Sequence, residues 1–209
     1  VGKNVYTFSL PAGHSCPGAN ECLSKADKET GEIKDGKNTR FRCFSATQEM
    51  YPSIRNARWY NLNLLKQTEN SVKSFHQKTD EMRVLIYNSI PKKANTIRIH
   101  VSGDFFNQRY FDAWISAAAP HQDKLFYFYT KSIHLWMNRI DWIGTGYKPG
   151  HLKNIIPTAS IGGKYDALIE NFKLRKATVV FSKEEAKENK WEIDHDDSLA
   201  QKHGPDFAL

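Results

Sequence analysis

The 209-residue chain carries 30 Lys and Arg against 23 Asp and Glu, a net charge of +7, with 40% hydrophobic and 25% charged residues. This is ordinary globular composition and excludes a disordered or low-complexity chain. No run approaches the ~20 consecutive apolar residues of a membrane-spanning helix, and three cysteines are too few, and odd in number, for a disulfide scaffold, which points to a reducing compartment.

In chain order, Val5–Leu10 reads as a short strand ended by Pro11 and Gly13. Residues 11–43 show no apolar period and hold all three cysteines, so a long functional loop is expected there. Residues 45–70 read as a helix with Met50, Ile54, Trp59, Leu62 and Leu65 roughly on one face, and Pro52 near a start or a break. A second helix is predicted over 71–90, with Val72, Phe75, Met82, Leu85 and Ile86 as its apolar positions. A repeating unit follows. Strands at Thr96–Val101, Leu125–Thr130, Asn154–Ala159 and Ala177–Phe181 alternate with helices over 107–119, 133–143, 164–173 and from Lys183. Strands alternating with helices imply βαβ units and a parallel sheet. The expected fold is therefore α/β, a partial (β/α) barrel of about five mainly parallel strands with helices outside. No linker divides it, so residues 1–209 read as one domain.

The charge is uneven. Residues 183–209 hold four Lys against eight acids, leaving 26 basic against 15 acidic residues over 1–182, or +11. Residues 190–209 read as an acidic C-terminal tail, and the basic body admits nucleic acid or other anions as partners. Arg55, Arg58, Trp59 and Tyr60 could clamp a single strand or form a helix surface. Asp194, Asp196 and Asp197 with His195 lack EF-hand spacing and read more readily as a turn than as a cation site. Neither GxSxG nor a P-loop is present, which removes support for acyl-transfer hydrolysis and for a P-loop NTPase. Residues 1–10 lack a basic start followed by a long apolar run, so they do not read as a secretory leader.

Each strand ends in a small or polar cluster, and in a parallel α/β sheet such ends gather on one rim where sites are built. His100, Asp104 and Lys131 are the candidates for orienting an anionic ligand or moving protons. Ser160 and Gly162 stand after the fourth strand and His14 beside the first cysteine. Cys16 and Cys22 are five residues apart, and Cys43 follows twenty residues later. Three thiolates on one loop suit zinc, with His14 as a fourth ligand, or an iron–sulfur cluster. A cubane held by three cysteines leaves one iron open. Unliganded, buried thiols are the remaining alternative.

The segments PAGHSCPGANEC, RCFSA, RIHVSGDFFNQRYFDAW, FYTKS, ASIGG and EIDHDD resemble the phage "gene product 88" family over nearly the whole chain. More distantly, the layout is similar to radical S-adenosylmethionine enzymes, which are partial or full (β/α) barrels with a [4Fe–4S] cluster on three cysteines after the first strand. The spacings of five and twenty depart from that family's CxxxCxxC. The resemblance implies a cluster on Cys16, Cys22 and Cys43, with Ser102 and Gly103 in the place of the glycine-rich cofactor-binding motif. It implies a phage protein working in the cytoplasm of an infected bacterium, with sulfide, a thiol or S-adenosylmethionine at the open iron. A radical enzyme and a nucleic-acid-binding protein with a structural metal stand as alternatives.

Overall fold

In the computed structural model, residues 4–70 and 73–209 are described. Val72, an expected apolar position of the second helix, lies outside them. Among the described residues the strands β1 (Val5–Thr7), β2 (Ser24–Ala26) and β3 (Ile33–Asp35) come first. The helices α1 (Phe44–Gln48), α2 (Pro52–Glu69) and α3 (Phe75–Ser89) follow. The alternating part is β4 (Thr96–Ile99), α4 (Gln108–Ala118), β5 (Leu125–Thr130), α5 (Ile133–Met137), α6 (Ile140–Ile143), β6 (Ile155–Ser160), α7 (Asp166–Asn171) and β7 (Lys176–Thr178). The chain ends with α8 (Lys183–Glu188), β8 (Glu192–Ile193) and β9 (Phe207–Ala208).

Seven strands form one sheet in the order β1-β4-β5-β6-β7-β9-β8, and every pairing in it is parallel. The five expected strands are its first five. The expected count falls short because β8 and β9, two residues each, are too short to show a period. β1 and β8 are the edges of this sheet, so it is an open sheet rather than a closed barrel. The loop over 11–43 carries its own antiparallel hairpin, β2 with β3.

Alternation along the strands separates two cores. Ile97, Ile99, Phe126, Phe128, Ile155 and Ala159 face the helices, against Leu62, Leu65, Met82, Ile86, Phe111, Trp114 and Trp136. Tyr127, Ile156 and Ala177 face the other way, against Leu199, Ala200 and Phe207. The segment expected as an acidic tail is thus part of the fold: it adds two strands and covers the second face of the sheet. Pro157 is tolerated inside β6 because β7 pairs only with Ala159 and Ser160, beyond it.

The helix boundaries follow their caps. Pro52 opens α2 at its first turn, after a break behind α1. Met50, expected on the apolar face, lies in that break and is exposed. Ser74 and Gln77 form a capping box that starts α3 at Phe75. Arg55 and Arg58 are buried rather than presented to a nucleic-acid strand. Arg55 donates to the carbonyls of Lys28, Glu29 and Glu49, and Arg58 to Glu49 Oε1, Gln48 Oε1 and the Ser45 carbonyl. These two guanidinium groups fasten α2 to α1 and to the tip of the hairpin. No helix among the described residues is long and apolar enough to cross a membrane.

Candidate functional site

The carboxyl ends of β4, β5 and β6 meet the cysteine loop around a cavity of about 500 Å³. Cys16, Cys22 and Cys43 all line it, together with His100, Ser102, Gly103, Asp104, Lys131 and Ser160. None of the thiols is in a disulfide. His14 and Gly162 are not on its wall. His14 Nε2 is hydrogen-bonded to the Ala26 carbonyl at 2.9 Å and its ring packs on Trp59. Gly162 acts outside the cavity: its carbonyl accepts from the Glu21 amide at 2.9 Å and its own N–H donates to Asp166.

The cysteine loop is held to the rim by close backbone approach. A Cβ on Gly18 would lie 2.3 Å from the Lys131 carbonyl oxygen. Gly103, at φ +81°, would place a Cβ 2.5 Å from Ser15 Oγ, so this position needs glycine on both conformational and steric grounds. Glu49, fully buried, joins three segments through one oxygen. Its Oε1 accepts from the Ala12 amide at 2.8 Å, from Arg58 Nη1 at 2.8 Å and from Ser102 Oγ at 3.3 Å.

Asp104 ties the ends of β4 and β5 together. Its Oδ1 accepts from the Phe105 amide and Thr130 Oγ1, both at 2.7 Å, and its Oδ2 accepts from the Lys131 amide at 2.9 Å and Ser132 Oγ at 3.3 Å. Burial raises its pKa, against the opposing pull of these donors. With both oxygens engaged, Asp104 shapes the loop. Lys131 Nζ donates to Ser160 Oγ at 2.8 Å, to the Ser160 carbonyl at 3.2 Å and to the Ile161 carbonyl. His100 is buried at φ +65°, and its Nε2 is hydrogen-bonded to Tyr110 Oη at 2.8 Å. Burial takes its pKa down to about 3, so the ring is neutral at physiological pH, and Nδ1 has no hydrogen-bond partner among the described residues.

The thiols differ. Burial raises Cys16 well above the ordinary thiol value, and the Asp104 charge adds to this, while the Gly13 N–H donated to its Sγ at 3.3 Å pulls the other way. Burial also raises Cys22, and the Lys131 charge opposes it. The Cys43 amide is anchored to Ser24 Oγ at 3.2 Å, on β2 of the hairpin. Among the described residues no three His, Cys, Asp or Glu side chains are grouped to hold a single metal ion.

Three further lining residues, Arg98, Tyr129 and Asp197, were not expected as site residues. Asp197 Oδ2 accepts from Arg98 Nη1 at 2.5 Å and from Tyr127 Oη at 2.9 Å, and its Oδ1 from Tyr129 Oη at 3.1 Å. Burial and then the Asp197 charge raise both phenols. The signal for Arg98 was present: a cation between Ile97 and Ile99 must face away from the helix-side core. Asp194 accepts from the Leu199 and Ala200 amides and builds a turn, but a buried one rather than the solvated turn expected for this acidic cluster.

No curated protein and no solved structure matches the chain, and nothing in the comparisons supports a likeness to radical S-adenosylmethionine enzymes. The family model described as Gene product 88 matches residues 2–207. With this span taking in the cysteine loop, the strand ends and the C-terminal segment that closes the cavity, the chain belongs to the Gene product 88 family.

Proposed function

We propose that the protein binds a [4Fe–4S] cluster through Cys16, Cys22 and Cys43 and leaves one iron open to the cavity for a small anionic or thiol ligand. The observation that carries this reading is the convergence of three free thiols, five and twenty residues apart in sequence, on the lining of one cavity. The donor set suits a cluster better than a single ion. In a cubane each thiolate binds its own iron, so the three sulfurs need not close around one point. Such a cluster supplies one-electron redox capacity and an iron that exchanges its outer ligand.

The surrounding residues fit that task. The Gly13 N–H bonded to Cys16 Sγ is of the kind that tunes iron-bound sulfur. Lys131 brings positive charge beside Cys22. Neutral His100 stands on the cavity wall, its buried Nδ1 without a hydrogen-bond partner among the described residues. The test is anaerobic reconstitution followed by iron and acid-labile sulfide analysis. About four of each per chain are expected, and a Cys16→Ser/Cys22→Ser/Cys43→Ser variant should hold neither. Wild-type protein without iron and sulfide, or a triple variant that keeps them, overturns the reading.

A further inference from the structure

Lys131 brings a buried cation to the cavity with no carboxylate to meet it. The residue is 7% exposed. Its three ammonium hydrogens are matched by three neutral acceptors, the carbonyls of Ser160 and Ile161 and Ser160 Oγ. Among the described residues it forms no ion pair with Asp or Glu. Asp104, the nearby buried acid, makes no ion pair with the Lys131 ammonium; its oxygens accept from the Phe105 and Lys131 amides and from the Thr130 and Ser132 hydroxyls. A charge removed from water without an opposite partner is strongly unfavourable. Cys22 lines the same cavity, and the Lys131 charge acts on its thiol against the rise that burial gives it.

We infer that Lys131 is the fixed counter-charge of the anionic centre held by the three cysteines and sets how readily that centre accepts an electron. This rests on the cluster reading above. With its hydrogens spent on Ser160 and Ile161, Lys131 has no donor left for a ligand and acts through its field. It is a positioning residue. A [4Fe–4S]²⁺ core with three thiolates carries a net charge of about −1 and gains one further negative charge on one-electron reduction. A nearby fixed cation stabilises the more negative state more, so it raises the reduction potential.

The test is a redox titration of the reconstituted protein, with dithionite as the one-electron donor, followed by EPR. Wild type, Lys131→Met and Lys131→Arg are compared at one pH, with folding checked by circular dichroism. Lys131→Met should titrate at a more negative potential, and Lys131→Arg should move back towards wild type. Loss of the cluster from folded Lys131→Met with retention in Lys131→Arg supports the same role. An unchanged potential in a fully loaded Lys131→Met overturns the inference and leaves the cluster reading standing. So does equal loss, or an equal shift, in both variants. Wild-type protein that takes up no iron overturns both.

Discussion

Gly18 lies against the main chain of Lys131 so closely that a Cβ on it would stand 2.3 Å from the Lys131 carbonyl oxygen. This approach brings the loop that carries Cys16 and Cys22 onto the carboxyl end of β5. Backbone cannot yield as the far end of a side chain can. Gly18→Ala should therefore displace the loop and cost about 1–3 kcal/mol of stability, the usual range for forced overpacking. Urea denaturation measures the loss, and iron uptake on reconstitution should fall with it. A variant of wild-type stability and uptake would show that the loop is free to shift.

The Glu49–Arg58 pair should be the most sensitive buried link. The two side chains are 0% and 6% exposed, and Glu49 also holds the Ala12 amide and Ser102 Oγ. Arg58→Met leaves the Glu49 carboxylate buried without its cation, and removal of one partner of such a pair costs about 3–5 kcal/mol. A loss under 1 kcal/mol in urea denaturation would contradict this assignment.

His100 should make the protein sensitive to acid. Its folded pKa is lowered from 6.5 to about 3 by burial. Above 6.5 the ring is neutral in both folded and unfolded chains and contributes no pH dependence. Between 6.5 and about 3 the unfolded chain takes up a proton that the folded one refuses, so stability falls as pH falls. Asn tolerates the left-handed backbone of this position and does not titrate. Between neutral pH and about pH 4, wild type should lose roughly 1–3 kcal/mol relative to His100→Asn. Parallel pH profiles of the two proteins, read by chemical denaturation, would remove this role.

The sheet was legible where strands are long enough to alternate. LFYFYT sends Phe126 and Phe128 to the helix side and Tyr127 to the other, as its period implies. Nine of the eleven candidate site residues line the cavity: six stand where parallel strands collect their carboxyl ends on one rim, and three are cysteines of the loop that folds onto it. The exceptions have physical causes. Proximity of His14 to Cys16 in sequence says nothing about which side of the loop it takes, and Trp59 and the Ala26 carbonyl hold it. Arg55 and Arg58 read as surface charge because their partners are mainly backbone carbonyls, which every sequence contains. The 190–209 segment read as a tail because its net acidity outweighs Leu199, Ala200 and Phe207, and only the tertiary fold shows the sheet face that they cover.

The ⁵⁷Fe Mössbauer spectrum of the anaerobically reconstituted protein decides whether Cys16, Cys22 and Cys43 hold a cluster with one open iron. Three thiols on one cavity predict a [4Fe–4S] centre in which about one iron in four differs from the rest and shifts when hydrosulfide or a small thiol is added. A mononuclear tetrahedral iron–thiolate spectrum, a cluster with equivalent irons that ignores both additions, or no bound iron would contradict it.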